Sequence, residues 1–175
     1  MKGGKMKKII LGCLLAAVSS MAIEVGNVPP SVVLSGEKGG KVDGSAWSSS
    51  MLKGKVHILF YVDPDERELN ESLTHALKKR HFDRNKYASV AVINLAATWL
   101  PNAILESKLK AKQKEFPDTI YVKDRKKAVL KQWGLADDNS DILIFDKKGK
   151  LLYKKFGKLS NKEIQNVLAL IEKNL

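Results

Sequence analysis

The stretch VHILFYVDPDERE, residues 56–68, decides the fold of this chain. Its first seven residues show little alternation of apolar and polar side chains, which is typical of a strand buried on both faces of a sheet. Asp63 can act as a helix N-cap, and Pro64 suits the first position of a helix. Because Glu66 is placed as a capping-box acid, we expect a helix to begin directly after the strand.

The sequence on both sides of this stretch alternates strand and helix signals. Apolar residues at helical spacing follow from Leu69 to Leu77. Downstream we predict strands at 88–95, 119–122, 141–146 and 150–156, helices at 102–115 and 128–133, and a last helix opened by the capping box Ser160 and Glu163. Upstream, residues 24–44 are rich in glycine and turn formers, which indicates an extended entry arm with a short strand.

The order of these elements predicts one α/β domain. Its first half reads βαβαβ with parallel crossovers, and its second half reads as a β-hairpin followed by a closing helix. This is the plan of the thioredoxin-like fold, in which helices flank a central mixed sheet. We therefore expect a single thioredoxin-like domain over residues 23–175.

Residues 1–22 have the three parts of a signal peptide. Four lysines precede an apolar run at 9–18, and the small residues around Ser20 and Ala22 follow it. The run of about ten residues is short for a membrane span, which needs roughly 20. We expect cleavage after Ala22 and a periplasmic location.

Cys13 is the only cysteine of the chain and lies inside this predicted signal peptide. Lipidation at Cys13 is an alternative, but cleavage there would leave only residues 9–12 as the apolar region, shorter than the roughly 7 to 15 residues expected. Residues 23–175 contain no cysteine, so they offer neither a disulfide nor a reactive thiol.

The segment 60–68 occupies the position of the redox pair in thioredoxin-like proteins, and Asp65 and Glu68 stand near the places of the two thiols. Thiol exchange, peroxidation and disulfide isomerisation each need a thiolate nucleophile. The sequence therefore predicts a protein that is not a thiol-disulfide oxidoreductase.

The chain is strongly basic, with a net charge of +12 that falls to +8 when the four lysines of the signal peptide are removed. Such charge suggests an acidic partner, for which anionic lipid headgroups, envelope polymers and acidic protein surfaces are candidates beside a merely solvated lysine-rich exterior. Nucleic acid is disfavoured, because only four of the 31 basic residues are arginines and base readout relies on arginine.

Several short motifs, in a shared order and spacing, resemble the YtfJ family of small exported bacterial proteins. They are Val28-Pro29-Pro30, LKGKV at 52–56, Asp83-Arg84 with Tyr87, Val92-Ile93-Asn94, Leu105-Glu106-Ser107 and Asp146-Lys147-Lys148-Gly149. The resemblance implies a periplasmic thioredoxin-like fold without an established activity. Members of the family have also been labelled transcriptional regulators, which fits an exported chain poorly.

Candidate binding residues gather where the predicted strands end. The carboxylates Asp63, Asp65, Glu66 and Glu68 could attract a hard cation, but their spacing matches no EF-hand loop, and first-turn acids also stabilise a helix by roughly 0.3 to 1 kcal/mol each. We therefore predict no metal site there.

Trp99 lies in the loop after the second predicted strand and could be either an exposed contact or an aromatic residue that closes the edge of the core. Ser140 stands where the fold usually has a cis-proline, and we expect a trans bond after it, because a non-proline cis bond costs about 3 kcal/mol.

The three histidines form no convincing ligand set, and no catalytic triad or phosphate-binding loop is recognisable. The sequence thus favours a non-redox binding or interaction module without a cofactor, acting through Asp63 to Glu68, Trp99 and Ser140 on an unknown protein or envelope ligand. A carboxylate- or metal-dependent envelope enzyme at the first helix N-terminus is the alternative, and a transcriptional regulator is a weaker one.

Overall fold

The computed structural model describes residues 22–175, so Cys13 and nearly all of the predicted signal peptide lie outside the described residues. Eight strands and four α-helices follow each other along this part of the chain. The strands are β1 Val33–Leu34, β2 Gly39–Lys41, β3 Trp47–Ser48, β4 Val56–Val62, β5 Tyr87–Asn94, β6 Thr119–Asp124, β7 Ser140–Phe145 and β8 Leu151–Phe156. The helices are α1 Glu71–Arg80, α2 Asn102–Glu115, α3 Ala128–Trp133 and α4 Asn161–Asn174.

Six strands form one mixed sheet in the order β2-β6-β5-β4-β7-β8. β4 runs parallel to β5, and β5 runs parallel to β6, whereas β7 is antiparallel to both β4 and β8. The expected thioredoxin-like arrangement is thereby confirmed, with β4 in the interior of the sheet.

Both faces of β4 are buried, as its largely apolar sequence predicts. Leu59 and Tyr61 point to a core beneath α3 and the N-terminal arm, which also holds the fully buried Trp47 and Trp133. Val56 and Ile58 point to the opposite core, covered by α1 and by the apolar face of α4. The side chains of a strand alternate between the two faces, so one continuous apolar run can serve both cores.

The predicted start of the first helix is wrong by seven residues. Pro64–Glu66 form only a 3₁₀ turn, and α1 begins at Glu71 behind Asn70. The side chain of Asp63 makes no capping hydrogen bond, because it is bonded instead to the loop before β7. The capping box of Ser160 and Glu163 at α4 is present as predicted.

The entry arm contributes more structure than the sequence indicates. β1 pairs with β3 in a separate two-stranded ribbon, and β2 adds an antiparallel edge strand to the main sheet beside β6. None of the described helices combines the length and the apolar character that a membrane span requires.

Candidate functional site

The carboxyl ends of β4, β5 and β6 and the start of β7 meet at one edge of the sheet. We call this the carboxyl edge and define it by residues 63–70, 94–101, 124–127 and 136–141. Eight of the 19 acidic residues of the chain lie on it: Asp63, Asp65, Glu66, Glu68, Asp124, Asp137, Asp138 and Asp141. Four basic residues lie on it as well: Arg67, Arg125, Lys126 and Lys127. In a protein that is basic as a whole, acids thus outnumber bases at the edge where open α/β folds usually place ligands.

Asp63 is the structural centre of the carboxyl edge and is only 2% exposed. Its backbone N–H donates to the Asn139 carbonyl at 2.9 Å, and its Oδ2 accepts from the Asn139 N–H at 2.9 Å. This double contact continues the antiparallel pairing of β4 with β7, in which Val62 lies opposite Ser140. Burial raises the pKa of the Asp63 carboxyl, and the nearby negative charges of Asp137 and Asp138 raise it further.

Asp137 and Asp138 are exposed and stand beside Asp63 on the loop between α3 and β7. One carboxylate oxygen from each of the three residues lies within 4.8 Å of those from the other two. Lys127 donates to both oxygens of Asp137 at 2.8 and 2.6 Å, and this hydrogen bond holds the pKa of Asp137 below its usual range. The fully buried Asn94 also donates to Asp137, at 3.4 Å. The arrangement brings together residues from four separate segments of the chain.

Asp124, at the end of β6, is fully buried and closes the floor of the carboxyl edge. Its carboxylate accepts hydrogen bonds from the backbone N–H groups of Lys126, Ala128 and Val129 and from the hydroxyl of Tyr61. Asp124 thus caps the first turn of α3. Because these four donors use its lone pairs, this carboxylate is structural.

Asp141 is a second fully buried carboxyl, one residue into β7. Its Oδ2 accepts from the Ala136 N–H at 2.8 Å, whereas its Oδ1 has no hydrogen-bond partner among the described residues. Burial, with a smaller contribution from the charge of Asp63, raises the pKa of Asp141 to about 7. The side chain is therefore a carboxyl that changes charge near neutral pH.

Ser140 is 2% exposed, so it is not available as a surface contact, contrary to the sequence-based interpretation. Its Oγ and its carbonyl both accept from the side-chain amide of Asn70, which also donates to the Gly157 carbonyl. The Asn70 oxygen accepts from the Leu159 N–H. This buried hub ties α1 to β7 and β8, and all described peptide bonds, including the one after Ser140, are trans.

The remaining predicted residues are accessible at the carboxyl edge. Asp65 and Glu68 are exposed, and Glu68 pairs with Arg67 at 3.2 Å. Glu66 is half-buried. Trp99 is 87% exposed, so the interpretation in which it closes the edge of the core is wrong. Its exposure is confirmed, and its role as a contact stays a prediction.

Sequence reasoning missed Asp137, Asp138, Asn94 and Lys127. Asp137 and Asp138 join Asp63 because the loop before β7 is hydrogen-bonded to Asp63 through Asn139, and no spacing along the chain predicts that contact. The sequence signal that could have found these two aspartates is the segment ADDNS at 136–140, directly before an apolar strand. Asn94 ends β5 and Lys127 follows β6, and no signal in the sequence indicated either residue.

Two shallow pockets lie away from this cluster. One, of about 100 Å³, is lined by the N-terminal arm and Trp133, and the other, of about 240 Å³, is lined by Val42, Gln113 and their neighbours. Both are smaller than the roughly 300 to 1,000 Å³ typical of small-molecule sites. The exposed carboxyl edge is thus the more promising functional surface.

Comparison with known proteins agrees with this architecture. The model of a family described as bacterial proteins of unknown function, YtfJ_HI0045, matches residues 27–174. An uncharacterised protein of Haemophilus influenzae is 33% identical over 128 residues, which cover 71% of this chain and 70% of that protein. The uncharacterised protein YtfJ of Escherichia coli is 27% identical over 133 residues, which cover 74% of this chain and 72% of that protein.

Similar solved structures share the fold at low sequence identity. The thioredoxin domain of a thiol-disulfide oxidoreductase from Bacteroides vulgatus has a TM-score of 0.60 and 18% identity, with 85% of this chain and 98% of that chain covered. A thiol peroxidase from Chromobacterium violaceum has a TM-score of 0.62 and 13% identity, with 89% of this chain and 91% of that chain covered. At such identities the likeness concerns the thioredoxin-like fold alone.

Proposed function

Because the chain belongs to the YtfJ_HI0045 family of bacterial proteins of unknown function and has a thioredoxin-like fold, we propose that it is an exported, non-redox binding module that holds a partner protein at its carboxyl edge. The absence of cysteine from residues 23–175 leaves this domain without the thiolate that redox chemistry requires. The same edge of the fold is then free to serve as a contact surface.

The observation that carries this proposal is the exposure of Trp99. A tryptophan that is 87% exposed is costly to leave in water, and tryptophan is among the residues that dominate the energy of protein interfaces. Trp99 follows β5 at the carboxyl edge, and Ile104, 46% exposed on α2, adds a second apolar side chain in the next segment. These residues offer an anchor for a partner.

Charge defines the chemistry of that partner. The exposed carboxylates Asp65, Glu68, Asp137 and Asp138 lie on the same edge as Trp99. Glu68 pairs with Arg67 and Asp137 pairs with Lys127, whereas Asp65 and Asp138 form no salt bridge among the described residues. The surface therefore suits a partner segment that carries lysine or arginine beside an apolar group. A π face such as that of Trp99 also attracts cations. We therefore propose a basic protein segment, rather than an anionic polymer, as the occupant of the carboxyl edge.

Site-specific photocrosslinking tests the proposal. A photoreactive amino acid is placed at position 99 in one variant and at position 165, on the exposed face of α4, in a matched control. We expect a discrete crosslinked product from position 99 that disappears when Asp65 and Asp138 are changed to asparagine. Identical products from positions 99 and 165, or none from position 99, would contradict the proposal.

Export is part of the proposal and has its own test. Ile23, the residue after the predicted cleavage site, is buried, and its backbone nitrogen donates to the Trp133 carbonyl at 3.1 Å, so cleavage after Ala22 keeps this packed residue in the domain. We expect the protein in a periplasmic extract to begin at Ile23 by mass spectrometry. Recovery in the cytoplasm with residues 1–22 attached would instead favour the regulator alternative.

A further inference from the structure

Three carboxylates from two distant segments converge at the carboxyl edge. Asp63 follows β4, Asp137 and Asp138 precede β7, and one oxygen from each lies within 4.8 Å of the others. Like charges at such distances repel one another, and the repulsion is strongest where water is partly excluded. The fold nevertheless holds them together through the two hydrogen bonds between Asp63 and Asn139.

Asp63 also has an unused ligand atom. The residue is 98% buried, and its Oδ1 has no hydrogen-bond partner among the described residues, although its Oδ2 is satisfied by the Asn139 N–H. A buried carboxylate oxygen without a partner has lost its hydrogen bonds to water and gained none in exchange, which is unfavourable above all when the group is charged. An ion at this position would supply the missing partner.

Lys127 is the cation that contacts this cluster in the structure. Its ammonium group bonds both oxygens of Asp137, and the single positive charge leaves two of the three negative charges of the ionised cluster unbalanced. A divalent ion would match that remaining charge.

We infer that Asp63, Asp137 and Asp138 form a binding site for a hard divalent cation of the calcium class, with Lys127 as its internal competitor. Two oxygens that share one calcium ion at 2.3 to 2.6 Å can lie up to about 5 Å apart, so three carboxylate oxygens within 4.8 Å of one another lie in the range over which ligands share one Ca²⁺. Three protein ligands completed by water resemble weak extracellular sites, for which Kd is about 10⁻⁴ to 10⁻³ M.

This site differs from the group of acids that the sequence alone singles out. The sequence places Asp63, Asp65, Glu66 and Glu68 together and predicts no metal site there, and of these four only Asp63 belongs to the cluster. Asp65 is therefore a matched control, since it is an exposed aspartate two residues from Asp63 and outside the three ligands. The inference does not depend on partner binding through Trp99.

The test measures melting temperature and calcium binding on the purified protein at constant ionic strength. Wild type and the variants Asp138→Asn, Asp63→Asn, Lys127→Met and Asp65→Asn are compared with and without CaCl₂. Asp138 has a positive φ of 50°, a conformation that asparagine tolerates, so Asp138→Asn should fold even if Asp63→Asn does not.

We expect CaCl₂ at ten times Kd to raise the melting temperature of wild type and of Asp65→Asn by about 3 to 5 °C. Asp138→Asn should weaken calcium binding by about tenfold, because it removes one negative charge from the ligands. Lys127→Met should strengthen calcium binding by a few fold, because it removes the cation that competes for Asp137. The inference is overturned if wild type shows no rise, if Asp138→Asn and Asp65→Asn respond alike, or if Lys127→Met binds more weakly than wild type.

Discussion

At the scale of single residues, the carboxyl edge contains carboxyl groups with different roles. Asp124 accepts four hydrogen bonds and caps α3, whereas Asp63 and Asp141 are equally buried but each has one unpartnered oxygen. Burial without enough donors favours the neutral form of a carboxyl and so raises its pKa. Asp141, with a pKa of about 7, makes this effect measurable.

The change Asp141→Asn tests the raised pKa of Asp141 through the pH dependence of the free energy of unfolding. Between the ordinary pKa of 3.8 and the folded-state value of about 7, the folded protein binds more protons at Asp141 than the unfolded protein does. The free energy of unfolding contributed by this group must therefore fall as pH rises through that window. We expect Asp141→Asn to gain stability relative to wild type between pH 4.5 and 7.5, by more than about 1 kcal/mol, the worth of one pKa unit.

Urea unfolding of both proteins across that pH range is the measurement. The exposed Asp65→Asn serves as the control, and its stability should follow the wild-type profile. Parallel pH profiles for Asp141→Asn and wild type would show that Asp141 ionises normally in the folded protein.

At the scale of elements, two local structures depart from what their sequences favour. Residues 63–66 have helix-start signals but form a 3₁₀ turn, because the Asp63 side chain bonds Asn139 instead of capping its own helix. Gly39 and Gly40 form β2 at φ angles of 126° and 128°, a region that favours glycine, and they approach the neighbouring backbone closely.

Gly39→Ala probes the attachment of β2 to the sheet. A Cβ at Gly39 would lie 1.9 Å from the Lys123 carbonyl oxygen, so the strand cannot keep its pairing with β6. We expect a loss of about 3 kcal/mol or more, or detachment of β2 with faster amide exchange across β6.

Gly44→Ala is the matched control, because Gly44 also has a positive φ, of 91°, but has nothing within 4 Å of the added Cβ. It should lose only about 1 kcal/mol, from backbone strain alone. Equal losses of unfolding free energy in the two variants, measured by urea unfolding, would mean that the close contact with the Lys123 carbonyl oxygen does not destabilise Gly39→Ala.

At the scale of the whole molecule, a single sheet separates two apolar cores. Leu59, Leu143 and Phe145 face the core around Trp47 and Trp133, while Ile58, Ile142 and Ile144 face the core under α4. Because consecutive residues of β4 and β7 serve opposite cores, one core cannot lose its strands without disrupting the other. This sharing predicts one cooperative unit over residues 23–175.

Unfolding followed by two probes checks this prediction. Near-UV circular dichroism reports mainly the buried Trp47 and Trp133 of one core, and far-UV circular dichroism reports the helices, among them α1 and α4 on the other face. We expect coincident urea midpoints with both probes, unchanged by a reducing agent, since residues 23–175 contain no cysteine. Separated midpoints would show that the two cores unfold independently.

The sequence by itself determined the elements whose signals are local. The apolar run at 56–62 required a strand buried on both faces, the capping box at Ser160 fixed the start of α4, and the element order led to the thioredoxin-like sheet. The lack of cysteine after residue 22 likewise needs no structure. Hydrophobic periodicity and capping act over a few residues, so they can be read along the chain.

Only the tertiary structure decided the composition of the candidate site. Asp63 meets Asp137 and Asp138 across more than 70 positions of sequence, Ser140 turns inward to Asn70, and Trp99 is left exposed. These outcomes depend on the register between β4 and β7 and on the path of the loop that precedes β7. Long-range contacts compete with local capping preferences and override them where burial leaves a carboxylate to find its donors elsewhere. For that reason the sequence alone grouped Asp63 with Asp65, Glu66 and Glu68, whereas the fold brings it together with Asp137 and Asp138.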